Sequence, residues 1–176
     1  MKKLVVIMCL FVACMCVGCG GDENEKVITG NSQQEGESNT TVEKGYVFKS
    51  GSASVVIDAE AAPILKALGK ETSYYESPSC AFGDLDKIYT YPGFEVDTYS
   101  LEGKDYISAV IFLDDSVKTA EGICIGDDAA KVKSTYGTPT SESATMISYE
   151  KDQSKLCFII KDGAVASIEY RTMILA

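Results

Sequence analysis

The residues with the clearest chemical potential lie in GICIGDDAAKVKSTYGTPT, residues 122–140, where a glycine-rich segment runs into a helical pattern. This arrangement is typical of phosphate-binding loops, in which glycine lets the backbone wrap an anion at a helix N-terminus. Here the helix would begin with Asp127 and Asp128, whose carboxylates repel phosphate, and no Lys-Ser/Thr pair follows Gly126. We therefore predict that the stretch is scaffold.

Paired carboxylates could instead bind a cation. The pairs are Asp84 with Asp86, Asp114 with Asp115, and Asp127 with Asp128. None of them has the spaced loop of a known calcium motif, so solvated turn carboxylates are the favoured interpretation. The sequence predicts no metal site.

Three cysteines remain after the N-terminal region: Cys80, Cys124 and Cys157. An odd number allows at most one disulfide, and the spacing leaves its connectivity open. Cys124 and Cys157 fit buried hydrophobic positions, and Cys80 has no basic residue nearby in the sequence to activate it.

The chain contains no histidine. It therefore lacks the usual general base at neutral pH, the commonest metal ligand and every Ser-His or Cys-His nucleophile arrangement. The net charge is −10, and no Lys/Arg stripe is present to neutralise phosphates, which argues against nucleic-acid binding. The sequence predicts a protein without catalysis or cofactor whose acidic surface favours basic partners or cations.

The N-terminal residues 1–18 have the composition of a secretory signal: two lysines, an apolar run and small residues. The end of this segment, CVGCGG, resembles the lipobox of bacterial lipoproteins, with Gly18 before the cleavage point and Cys19 as the lipid acceptor. Cys16 stands where the family usually has leucine. Cys14 is a second candidate for lipidation, and an ordinary secretory signal is the other alternative.

Residues 19–44 then combine the acceptor cysteine with a polar, acidic stretch that has few aliphatic residues, which predicts a disordered tether. The resulting prediction is an extracytoplasmic protein, lipid-anchored to the cell membrane through Cys19.

Two similar stretches, 55–72 and 122–140, each predict a helix that precedes a set of strands. Each has an acidic start, an apolar stripe at helical spacing and a closing glycine, Gly69 or Gly137. Alternating runs separated by Pro-Gly, Glu-Gly or Asp-Gly follow each stretch, and such turns indicate hairpins.

These patterns predict an α+β domain over residues 45–176. Two tandem helix-plus-antiparallel-meander repeats, about 45–113 and 114–172, would merge into one curved antiparallel sheet with the helices packed on one face. We expect three strands in each meander and an extra strand at 45–50 or 53–57 leading the first.

The stretch GICIGDDAAKVKSTYGTPT also resembles the G-x-x-(I/V)-G-(D/M)-(S/T)-x-x-x-V-x-x-x-x-G-x-P signature of the β-lactamase-inhibitor-protein-like superfamily. That superfamily includes the small lipoprotein of the outer-membrane β-barrel assembly machine. SPSCAFGDLDKIYTYPGFEVDTY, residues 77–99, is similar to a set of Gram-positive lipoproteins with this fold. The resemblance covers roughly 45–172 and implies the doubled fold, while its members inhibit enzymes or brace assemblies.

Strict alternation places Ile107, Ala109, Ile111 and Leu113 on one face of their strand, an apolar strip facing away from the helices. One interpretation is a central strand shielded by neighbouring side chains, and the other is a partner surface. The proposed partner surface combines this strip with nearby tyrosines: Tyr89, Tyr91, Tyr99, Ile107 and Ile111.

We therefore expect a membrane-anchored protein-binding or inhibitory module. A structural accessory lipoprotein of a cell-envelope complex is the first alternative, and a metal- or carboxylate-dependent enzyme is the second.

Overall fold

The computed structural model describes residues 44–80 and 84–174. The predicted signal segment, Cys19 and the tether up to residue 43 lie outside the described residues. In chain order the elements are β1 (Val47–Ser50), β2 (Ala53–Val56), α1 (Ala61–Leu68), β3 (Ser73–Pro78), β4 (Leu85–Tyr91), β5 (Phe94–Leu101), β6 (Lys104–Phe112), α2 (Ala129–Tyr136), β7 (Ser141–Glu142), β8 (Met146–Lys151), β9 (Ser154–Lys161) and β10 (Ala164–Thr172).

Eight strands form one antiparallel sheet in the order β3-β4-β5-β6-β10-β9-β8-β7. The strands that end the two halves of the chain, β6 and β10, pair at the centre, and each half extends outward from there. β1 and β2 form a separate hairpin. The described part of the chain is thus α+β, with two helices and one large antiparallel sheet, and the predicted fold class is confirmed.

The prediction of three strands in each meander was wrong, because each helix is followed by four. The additional strands, β3 and β7, lie at the two edges of the sheet. β3 carries mostly exposed side chains and so has no apolar alternation, and β7 has only two residues. Neither leaves the period-2 signal on which a strand prediction depends.

The glycine-containing turns follow the sequence prediction. Glu102 and Gly103 have φ values of 53° and 77°, and Asp162 and Gly163 have φ values of 54° and 85°. Two consecutive positive φ angles define the type I′ turn, whose twist matches that of the strands it joins.

The helices also end where the sequence predicts, at Gly69 and Gly137, with φ values of 84° and 80°. α2 begins one residue later than expected, since Asp128 and not Asp127 is its N-cap. The Asp127 carboxylate instead accepts hydrogen bonds from the Cys124 N–H at 2.9 Å and from Lys131 Nζ at 2.8 Å.

Both helices and the hairpin pack on one face of the sheet, which we call the covered face. Its core receives Phe48 and Val55 from the hairpin, Ala61 from α1 and Val132 from α2, each at most 1% exposed. The Phe48 ring lies 4.8 Å from the Phe94 ring, between centroids. Burial of this apolar surface is the main stabilising contribution to the fold.

The approach to α1 is tied to β6 by backbone hydrogen bonds. The Asp58 N–H donates to Ile107 O at 2.9 Å, and the Ile107 N–H donates to Ala59 O at 3.0 Å. Asp58 has a φ of 62°, which is unusual for a residue with a side chain.

The approach to α2 is tied to β10 in the same pattern. The Gly126 N–H donates to Val165 O at 2.8 Å, and the Val165 N–H donates to Asp127 O at 2.8 Å. Gly126, with a φ of 93°, occupies the position that Asp58 has in the first half.

A β-bulge interrupts β6 and changes which side chains face the helices. Asp97 pairs with Ala109 and Thr98 with Ile107, so Ser108 is an extra residue on β6. An extra residue shifts the alternation by one. Ile107 therefore turns into the covered core, where it is fully buried, and the prediction that it lies on the opposite face was wrong.

A second bulge lies on β10. Val165 pairs with Ile160 and Ser167 with Ile159, which leaves Ala166 as the extra residue. Val165 consequently joins the core at 2% exposure.

Candidate binding face of the sheet

The sheet face opposite the helices carries no helix or hairpin among the described residues, and we call it the open face. Two rows of side chains cross it at neighbouring register positions. The first row runs Glu150, Lys155, Arg171, Ala109, Asp97 and Ile88, and the second runs Ser148, Cys157, Glu169, Ile111, Glu95 and Thr90. Adjacent members of a row lie on neighbouring strands, about 4.8 Å apart.

The first row is interrupted at its centre by the small side chain of Ala109, between the long Arg171 and the acidic Asp97. A cleft of about 410 Å³ opens here, and the bulge residue Ser108 also lines it. Met173, after the last strand, lines the cleft as well. The missing side-chain volume and the bulge together account for this concavity.

Asp97 is the chemically unusual group of the cleft. Burial, together with the negative charge of Glu95, raises the pKa of the Asp97 carboxyl to about 6, although Arg171 acts in the opposite direction. Asp97 Oδ1 has no hydrogen-bond partner among the described residues. A buried carboxyl without a hydrogen-bond donor favours its proton, since desolvation penalises the charged form.

The two basic residues of these rows, Lys155 and Arg171, are already paired. Arg171 Nε lies 2.6 Å from Glu169 Oε2, and Lys155 Nζ lies 3.4 Å from Glu150 Oε1. Asp97 has no ion pair within the described part of the chain, and neither do its neighbours Glu95 and Asp86. The centre of the open face therefore presents uncompensated negative charge beside the apolar side chains of the rows.

Cys157 and Ser148 occupy adjacent positions in the second row. Cys157 is 4% exposed and lines the cleft wall, and burial raises the pKa of its thiol. The fully buried Ser148 Oγ has no hydrogen-bond partner among the described residues. A thiol in this state is a poor nucleophile, so Cys157 contributes packing to the face.

The predicted partner surface is not reproduced as a set. Tyr91 is 5% exposed and its ring stacks on Phe94 at 5.2 Å, while Tyr89 packs partly buried against the same core. Both lie on the covered face because Tyr91 pairs with Phe94 and Tyr89 with Val96.

Of the other predicted residues, Tyr99 is 3% exposed, with its ring stacked on Tyr106 at 5.6 Å and its hydroxyl donating to Asp58 at 3.3 Å. Ile107 lies in the core, as described above. Ile111 does lie on the open face, where it is half-buried between Glu95 and Glu169.

Sequence reasoning did not select Asp97, Glu169 and Arg171 as site residues. A signal was present, since Glu95 and Asp97 alternate with Phe94 and Val96 along β5. The register that places β5 and β10 on opposite sides of Ala109 could not be predicted, because local alternation does not show which distant strands pair.

Within residues 44–80 and 84–174, no group of three or more Cys, Asp or Glu side chains could hold a metal ion. Cys80, Cys124 and Cys157 are free thiols. Neither described helix has the length and apolar character needed to span a membrane.

The chain matches no protein-family model and no curated protein sequence. Among solved structures it is similar to an extracellular protein containing an SCP domain from Bacillus anthracis strain Ames, at 14% sequence identity and a TM-score of 0.41. The match covers 82% of this chain and 50% of that structure, so the chain spans half of its length. A similarity of this degree assigns no function.

Proposed function

We propose that this protein is a membrane-anchored extracytoplasmic module that binds another protein through the open face of its sheet, without catalysis. The observation that supports the proposal is the cleft at Ala109, flanked by uncompensated carboxylates on a face that no described element covers. Ile88 and Ile111 supply apolar contact area beside it. This combination of an apolar centre and a charged margin is typical of protein interfaces.

The chemistry of the face favours a partner with a basic surface. Asp86, Glu95 and Asp97 lie close enough for Asp86 and Glu95 to raise the pKa of Asp97. A lysine or arginine side chain entering the cleft would supply the donor that Asp97 Oδ1 lacks. Binding would then lower the pKa of Asp97, so affinity should increase from pH 5 to pH 7.

The anchoring half of the proposal rests on the CVGCGG motif. Replacing Cys19 by alanine should release the protein from the membrane fraction and abolish labelling with a fatty acid. Retention of both in the variant would refute anchoring at this residue.

The binding half is tested by filling the cleft. Ala109→Arg should abolish capture of the partner from an envelope extract, because the new side chain occupies the space between Arg171 and Asp97. Ala166→Arg is the matched control, since Ala166 is exposed at the second bulge and lies outside the cleft. If Ala109→Arg captures as much of the partner as Ala166→Arg and wild type do, the cleft of the open face is not the binding surface.

The same experiment separates the binding module from a structural accessory lipoprotein. An inhibitor-like module should capture one soluble enzyme in stoichiometric amount, whereas a brace should capture membrane proteins of one complex. The proteins whose capture is lost in Ala109→Arg identify the partner. Loss of a soluble enzyme would support the binding module, and loss of membrane proteins would support the structural accessory.

A carboxylate-dependent enzyme is a second candidate, and the specific observation that favours it is Asp97. A carboxyl with a pKa of about 6 in a cleft can exchange a proton near neutral pH. An activity that follows the ionisation of a group with this pKa and is lost in Asp97→Asn would replace the binding proposal.

We also propose that the two halves are tandem repeats of one unit. The paired hydrogen bonds before α1 and α2, the bulges at Ser108 and Ala166, and the bridges Glu60–Tyr106 and Asp128–Ala164 support this. The repeats would be of the β-lactamase-inhibitor-protein-like type that the GICIGDDAAKVKSTYGTPT stretch resembles.

A further inference from the structure

The two edges of the eight-stranded sheet differ in a way that bears on self-association. β7 ends one edge with two residues, Ser141 and Glu142. β3 ends the other with six residues, Ser73–Pro78, and exposes Tyr74 at 45% and Tyr75 at 62%. Proteins usually protect edges by short strands, by charged side chains, especially lysine, or by proline, because an unpaired edge is a template for another strand. The β7 edge is protected by its length. β3 contains no lysine, and Glu76 and Pro78 near its end are its only residues of these kinds.

The ladder with β4 determines which backbone groups of β3 remain available. The Ser79 N–H donates to Asp84 O at 2.6 Å, and alternate residues of an antiparallel strand bond to the same side. Ser77, Tyr75 and Ser73 therefore direct their backbone groups to β4. Tyr74 and Glu76 direct theirs to the free edge.

We propose that β3 pairs antiparallel with β3 of a second copy of this chain, about a two-fold axis at Tyr75. In this register Tyr74 of each copy lies opposite Glu76 of the other. Their outward N–H and C=O groups would form four intermolecular hydrogen bonds, two for each such pair. Pro78 has no N–H, which ends the ladder at this point.

The side chains are self-complementary in this register. Tyr75 meets its own copy in a non-hydrogen-bonded pair, where facing side chains come closest, and the aromatic pair is stabilising. Tyr74 lies opposite Glu76 of the second copy, and within one chain the Tyr74 hydroxyl already donates to the Glu76 carboxylate. No two like charges lie directly opposite each other along the strand.

The size of this contact determines its strength. One strand pair of six residues is about 20 Å long, and such an interface falls below the roughly 1,200 Å² of a standard stable complex. We expect a dissociation constant on the order of 100 µM. Anchoring many copies in one membrane would raise their effective concentration and favour the dimer there.

Sedimentation equilibrium of the purified chain from 10 µM to 1 mM (on the order of the expected dissociation constant and above) tests the proposal. Wild type should change from monomer to dimer, and Tyr75→Lys should weaken dimerisation at least tenfold because it places two lysines opposite each other. Leu101→Lys is the matched control, since Leu101 is exposed at 45% but lies on an inner strand. It should dimerise like wild type.

A crosslinking experiment tests the register itself. In a Cys80→Ser background, oxidation of the Tyr75→Cys variant should form a disulfide that joins the substituted positions of the two copies, mapped by mass spectrometry. Ser77→Cys alone should not, because Ser77 would face Ser73 of the second copy. Three results would each overturn the proposal. The chain could stay monomeric at about 1 mM, the dimer could persist in Tyr75→Lys, or the β3 edge could capture extended peptides without forming a dimer.

Discussion

Asp97 makes a pH-dependent contribution to stability that a single substitution should remove. Its side chain is half-buried on the open face, and the buried Oδ1 has no hydrogen-bond partner among the described residues. Burial raises its pKa from an ordinary value of 3.8 to about 6. Asp97→Asn keeps the size and shape of the side chain and cannot ionise.

The sign follows from proton binding. Between pH 3.8 and about 6 the folded state holds a proton on Asp97 that the unfolded state has lost. The free energy of unfolding therefore falls as the pH rises through this window and stays low above it. Each pKa unit corresponds to 1.36 kcal/mol, so the shift of about two units gives a loss of about 3 kcal/mol.

The measurement is urea denaturation of wild type and Asp97→Asn at intervals from pH 4 to pH 8. The two proteins should be similar in stability at pH 4, and the variant should be more stable by about 2–3 kcal/mol at pH 7. Taking the difference between the two proteins removes the contributions of every other carboxylate.

Glu95→Gln is the control, since it removes a neighbouring carboxylate and leaves Asp97 in place. This variant should keep the fall in stability, displaced to slightly lower pH because Glu95 contributes to the raised pKa of Asp97. A stability difference between wild type and Asp97→Asn that does not change with pH would refute the reasoning.

Three further substitutions test the packing and the backbone. Phe48→Ala should lower the free energy of unfolding by about 3–5 kcal/mol in urea denaturation, because this ring is 1% exposed at the centre of an aromatic cluster. A loss below about 1 kcal/mol would show that the hairpin contributes little to the stability of the core. Asp58→Ala should be less stable than Asp58→Gly by about 1 kcal/mol, since both lose the carboxylate and only alanine keeps a Cβ at a φ of 62°; equal melting temperatures would show that this backbone is unstrained. Ser148→Ala should raise the melting temperature, with a gain of about 1 kcal/mol, because its buried hydroxyl has no hydrogen-bond partner among the described residues; a clear loss of stability would show that the hydroxyl is bonded.

Local patterns were sufficient for most of the elements. Phe94 and Val96 alternate with Glu95 and Asp97 at the start of β5. Gly69 and Gly137 end their helices as predicted. β3 was missed because an edge strand with both faces exposed needs no apolar alternation. Its pairing with β4, rather than its own composition, makes it a strand.

The candidate site was harder to predict, and Ile107 shows why. The composition of β6 fits strict alternation along its whole length, which places Ile107 beside Ile111. The extra residue Ser108 exists only relative to β5, so it cannot be seen from β6 alone. The prediction for Tyr89 and Tyr91 failed for a related reason, since the register of β4 on β5 decided their face.

The sequence by itself determined the α+β class, the turns, the helix ends and an acidic chain without histidine, because each depends on residue type or on neighbours a few positions away. Only the tertiary structure decided which side chains share the open face, where Arg171 and Asp97 come to lie on either side of Ala109. Those positions are set by pairing between strands that are about 60 residues apart in the chain, and a shift of one residue in that pairing would turn each side chain to the other face.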